Sequence, residues 1–129
     1  MSLVTSDKLL KDQENSLLMW CYKQILALRL PSTRTMAGIT ASTTQTQGQG
    51  PLTAVVNEIS VVANANDTVT LPSAGAGKTC VIINNGAQTL RIYPASGDNL
   101  GAGVNTATTL TATSRRRYVA YDSTNWAIV

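Results

Sequence analysis

Chemistry in this 129-residue chain would have to come from few side chains. Residues 71–80 read LPSAGAGKTC, and the GAGKT run has the composition of the end of a phosphate-binding loop. Such a loop needs a glycine five residues ahead of the glycine of its Gly-Lys-Thr triplet, so that backbone amides can wrap the anion. Here that position is Pro72, which has no N–H and a fixed φ. The order of elements is also reversed, because Thr79 leads into the apolar run CVIINN, which reads as a strand and not a helix. No third glycine follows Gly75 and Gly77 at the spacing of a dinucleotide fingerprint. The glycines are expected to serve turn geometry between two strands.

The other reactive groups are no better arranged. The chain has no histidine, the commonest general base and metal ligand. Cys80 sits within an apolar run and is expected in the core, not as a nucleophile. Cys21 and Cys80 fall in separate segments, which argues against a disulfide staple or a four-ligand zinc site. The carboxylates after residue 50 are Glu58, Asp67, Asp98 and Asp122. Paired-carboxylate hydrolysis needs two of them across a cleft, whereas each lies in or beside an expected turn, where aspartate bonds the local backbone. No catalytic residue, cofactor or metal site is expected.

Arg115, Arg116 and Arg117 form the one concentrated charge. In a strand, Arg115 and Arg117 project to one face and Arg116 to the other. Two readings stand: a solvated edge strand protected against unwanted pairing, or a contact with an acidic protein surface or a neighbouring subunit's carboxylates. A net charge of +3 without a long basic tract disfavours nucleic acid as a partner.

The elements that must position these residues follow from periodicity. Residues 7–30 carry a helical pattern, with Leu18, Cys21, Ile25 and Leu28 on one stripe that widens around Trp20 and Tyr22. Pro31 ends it. Residues 32–51, rich in Thr, Ser, Gln and Gly, read as a linker or extended arm. Beyond Leu52 the period changes to two: Ile59 and Val61, Val69 and Leu71, Leu90 and Ile92, Val119 and Tyr121, and Trp126 and Ile128 mark strands. The run 79–85, apolar on both faces, reads as a central strand, and Asn85-Gly86 as a type I′ hairpin turn.

These patterns predict a mainly β fold, a small antiparallel β-sandwich or barrel, jelly-roll-like, preceded by an N-terminal α-helix and an extended arm. Residues 1–50 would anchor or oligomerise, and 51–129 would form the β domain. The longest apolar run, 17–22, is too short to cross a bilayer, and no signal peptide is visible. With no Phe, eighteen Thr and fifteen Ala, the sheet is short of bulky side chains, so subunit association is expected to complete its burial.

Four stretches carry a resemblance. LPSAGAGK at 71–78, Asn84-Asn85-Gly86, YPASGDNL at 93–100 and DSTNW at 122–126 together resemble a small β domain of tailed-bacteriophage virion proteins, found in head decoration proteins, head fibres and some tail appendages. The resemblance covers roughly residues 55–129, and the arginine triplet departs from the small or polar residues expected there. It implies a non-enzymatic structural protein of the virion, made in the host cytoplasm and forming homotrimers. Its partners would be itself and the major capsid protein or another virion protein. Leu18, Trp20, Cys21, Tyr22, Ile25, Leu28 and Arg115, Arg116, Arg117 are the candidate interface residues. The helical stripe would either fold back on the chain's own sheet or meet its copies, three of which could form a short bundle. The alternative is a tail-borne adaptor or receptor-binding module that recognises a host surface glycan or protein.

Overall fold

The computed structural model describes residues 34–129, with Ser16 alone ahead of them. Apart from Ser16, the helix expected over 7–30, with Leu18, Trp20, Cys21, Tyr22, Ile25 and Leu28, lies outside the described residues. Arg34–Val129 form one compact unit. Eight strands build it: β1 (Thr35–Thr40), β2 (Val56–Val61), β3 (Thr68–Thr70), β4 (Thr79–Asn84), β5 (Leu90–Tyr93), β6 (Thr108–Leu110), β7 (Arg115–Ala120) and β8 (Trp126–Ile128).

They make two open sheets, one of five strands in the order β1-β2-β4-β7-β8 and one of three in the order β3-β5-β6. The mainly β reading holds, and β4 is the central strand of the larger sheet as expected. The barrel alternative does not hold, because the two sheets do not close. The antiparallel expectation is corrected as well. The pairs β1–β2, β2–β4 and β3–β5 are parallel, while β4–β7, β7–β8 and β5–β6 are antiparallel. The cause is topological. From β2 the chain passes through β3 in the other sheet and returns as β4 beside β2, and such a crossover allows parallel neighbours.

Asn85-Gly86 is therefore not a hairpin turn. The strands on either side, β4 and β5, lie in different sheets, and neither residue has positive φ. Glycine is required here by proximity, since a Cβ on Gly86 would sit 2.6 Å from Val62 Cγ2 and 2.7 Å from Val62 N. The Gly86 amide donates to Asn84 Oδ1 at 3.0 Å. Asn84 is fully buried, and its Nδ2 donates to the carbonyls of Gln88 and Leu110, both at 3.0 Å. One side chain thus ties the end of β4 to the end of β6 in the other sheet.

The expected boundary at residue 50 is also corrected, because residues 34–50 belong to the β unit. β1 forms the edge of the larger sheet, and Ala41, 2% exposed, is part of the core. Ser42 and Thr68 exchange both backbone hydrogen bonds at 2.9 Å, carrying the chain from one sheet to the other. Gln47 Nε2 donates to the Pro94 carbonyl at 2.9 Å and to Asn105 Oδ1 at 3.1 Å. An edge segment satisfied by backbone and amide hydrogen bonds needs few large apolar residues. That is why its composition read as a linker.

The core between the sheets is formed by Ile59, Val69, Leu71, Cys80, Ile82, Leu90, Ile92, Tyr118, Ala120 and Trp126, among others. Near the end of the chain the buried face is the other one from that expected. Tyr118 and Ala120 point inward, whereas Tyr121 is 63% exposed. Val61 and Ile128, at strand ends, are exposed too.

Candidate functional site

The glycine-rich loop 72–78 connects β3 to β4, and several of its polar groups are committed internally. The Ala74 amide donates to Asp98 Oδ2 at 2.7 Å, the Gly77 amide to the Ala120 carbonyl at 2.9 Å, and the Lys78 amide to the Gly75 carbonyl at 2.9 Å. Lys78 Nζ donates to the Ser73 carbonyl at 3.0 Å. A phosphate loop would turn such amides and its lysine outward to the anion. Here they fold the loop onto itself and onto the domain.

The four carboxylates are dispersed in the same way. Asp67, fully buried, accepts from the Asn64 amide at 3.0 Å and from Gln45 Nε2 at 3.2 Å. Asp98, 5% exposed, holds Ala74. Asp122 accepts from Asn125 Nδ2 at 2.9 Å, from the Thr124 amide at 2.8 Å and from the Asn125 amide at 2.7 Å. These bonds, led by the Asn125 side chain, hold the Asp122 carboxyl below its ordinary value. Glu58 departs from the turn expectation. It lies on β2 and accepts from the Gly38 amide at 2.8 Å, Ser60 Oγ at 2.8 Å and Asn85 Nδ2 at 3.0 Å, so its carboxyl is held low as well. All three of these partners are uncharged, and the Gly38 bond pins the edge strand to its neighbour.

Cys80 is fully buried on β4. Burial pushes its thiol up to about 12, only partly offset by the Asn57 side chain. A thiol so far from ionisation is a core group, as its apolar surroundings in the sequence suggested. Among the described residues, two buried side-chain atoms, Asn57 Oδ1 and Trp126 Nε1, have no hydrogen-bond partner. No group of three or more metal-ligating side chains occurs among the described residues.

The arginine triplet divides by strand alternation, as expected. Arg116 shares the inner face with Tyr118, and its Nη1 donates to the Thr109 carbonyl at 3.1 Å and to Tyr118 Oη at 3.3 Å. Tyr118 Oη in turn lies 3.1 Å from Thr108 Oγ1. Arg116 is therefore a tie from β7 to β6, across the two sheets. The edge-strand reading is corrected in part. β7 is flanked by β4 and β8, but β8 pairs only with Tyr118, Val119 and Ala120. The stretch at Arg115 and Arg116 runs past the β8 ladder on that side.

Arg115 and Arg117 are exposed on the outer face of the five-stranded sheet. Registers place them in two rows. Glu58 is level with Ile83, and Ile83 with Arg115; Val56 is level with Val81, and Val81 with Arg117. Val56, Val81, Ile83 and Val119 are half-buried there. The arrangement offers no converging acid, base or nucleophile. It offers a surface with an apolar middle, one anionic flank and one cationic flank. The run 79–85, apolar on both faces, hinted at that apolar outer face; the anionic flank could not be read, because pairing β2 with β4 is not a local property. No family model, no curated protein and no solved structure matches this chain.

Proposed function

We propose that this chain is a structural protein of a tailed-phage particle, a homotrimeric head decoration or head-fibre protein. Residues 1–33 would anchor it to the major capsid protein or another virion protein, and the β unit from Arg34 onward would project or contact neighbouring copies. Its mechanism is association. Repeated copies each bury a modest apolar area, and multivalent attachment raises avidity without one strong contact.

One observation supports this reading above the others. The groups with chemical potential, Lys78, Cys80, Asp67, Asp98 and Asp122, are each committed to holding a turn or filling the core. What faces outward is a patterned sheet surface. Position in a virion rests on the likeness of residues 55–129 to the phage β domain.

Two measurements test the proposal. Electron microscopy of particles carrying labelled protein should place it on the head; label on the tail would favour an adaptor, and absence from particles would reject the proposal. Ile25→Asp should abolish trimer formation or virion incorporation while the β unit keeps its circular dichroism. Unchanged sedimentation and incorporation would remove the N-terminal anchor from the account.

A further inference from the structure

The outer face of the five-stranded sheet is self-complementary. Across β2, β4 and β7 one row reads Glu58, Ile83, Arg115, and the next reads Val56, Val81, Arg117. The negative charge lies one strand to one side of β4, and the positive charges lie one strand to the other. A two-fold axis running parallel to β4, just above Val81 and Ile83, exchanges the two sides. It lays β2 of one copy over β7 of the other while β4 faces β4. Ile83 then meets Ile83 and Val81 meets Val81, Arg115 faces Glu58 of the second copy in both directions, and the Arg117 stem covers Val56.

We infer that this face is an isologous contact between two copies of the chain, packed sheet to sheet through β4. The single interface satisfies closed two-fold symmetry. Facing sheets pack about 10 Å apart, a span that arginine and glutamate side chains can bridge. The occupant is specified by charge. Hydrogen bonds from Gly38, Ser60 and Asn85 hold Glu58 anionic and in place. A second copy supplies the opposite sign at the matching level, with apolar residues at the centre. A polyanion would be repelled by Glu58 and an acidic protein would leave Glu58 unpaired. The contact stands apart from the virion reading: it links β units whatever particle they serve, and within a trimeric protein it would join one trimer to the next.

The test uses the full chain with Cys21→Ser, so that the buried Cys80 is the only native thiol. Ile83→Cys lies beside the axis. Thr35→Cys lies on β1, level with Val56 but two strands from β4, so its two copies stand roughly 20 Å apart at about 4.8 Å per strand. A short bismaleimide should link Ile83→Cys into dimers at low micromolar concentration and leave Thr35→Cys largely unlinked. Adding Arg115→Glu should lower the Ile83→Cys yield at least tenfold, and adding Glu58→Arg as well should restore it. Circular dichroism confirms that each variant is folded. Equal linking at 35 and 83 would overturn the inference, as would a yield indifferent to Arg115→Glu. So would a thiol at position 83 that yields monomer only, whether freely labelled by a monomaleimide or shielded by something other than a second copy. A folded charge-swapped variant that stays unlinked would overturn the pairing of Arg115 with Glu58. Virion location enters none of these readouts, so they fail or succeed independently of it.

Discussion

The carboxylate of Asp98 accepts the Ala74 amide at 2.7 Å across twenty-four residues of chain. It links two of the stretches that set this sequence apart, the glycine-rich loop and the YPASGDNL segment. Asp98 is 5% exposed, so the bond is shielded from solvent. Asp98→Ala leaves a sheltered amide without an acceptor, and such losses cost about 1–3 kcal/mol. Chemical denaturation should show that loss, with Asp98→Asn, which keeps an oxygen, closer to the parent. A variant as stable as the parent would mean that the loop is held elsewhere.

Arg115, Arg116 and Arg117 are adjacent in sequence and unequal in role. Arg116→Ala removes donors to the Thr109 carbonyl and Tyr118 Oη and should destabilise the β unit by about 1 kcal/mol, discounted for its partial exposure. Arg117→Ala should stay within about 0.5 kcal/mol, as for an ordinary surface change. Thermal unfolding at a concentration where the chain is monomeric separates the two. Equal effects would contradict the division by strand face.

Acid should act through Glu58 and Asp122. Both carboxyls are held below their ordinary values of 4.5 and 3.8. A depressed carboxyl contributes stability that is present above its unfolded value and lost as pH falls through its folded value. Stability should therefore be level above about pH 5 and decline below the ordinary values. In Glu58→Gln the decline should be shallower, since Gly38, Ser60 and Asn85 no longer depend on an ionised acceptor. Melting temperature against pH for the two proteins reads the difference. Parallel curves would remove Glu58 as a source of the dependence.

The Cys80 thiol, buried and shifted up to about 12, should resist alkylation at neutral pH in the folded chain. Mass spectrometry of the peptide containing residue 80 should show labelling by iodoacetamide only after denaturant is added. Rapid native labelling at that peptide would show that the core around β4 opens readily.

Local alternation marked many core positions before any fold was known. Ile59, Val69, Leu71, Leu90, Ile92 and Trp126 are buried where a period of two placed them, because side-chain direction in a strand is set by the strand itself. The same locality made the LPSAGAGKTC stretch legible as a turn leading into a strand. Pairing had no such signature. Strands join through backbone N–H and C=O groups that every residue but proline carries, so β1 was hidden in a Thr- and Gly-rich arm and Asn85-Gly86 suggested a hairpin that does not exist. Which sheet each strand enters was decided by how the two sheets bury their inner faces together. That tertiary choice alone brought Arg116 to Tyr118 and Asp98 to Ala74, and set Glu58 and Arg115 on opposite sides of Ile83.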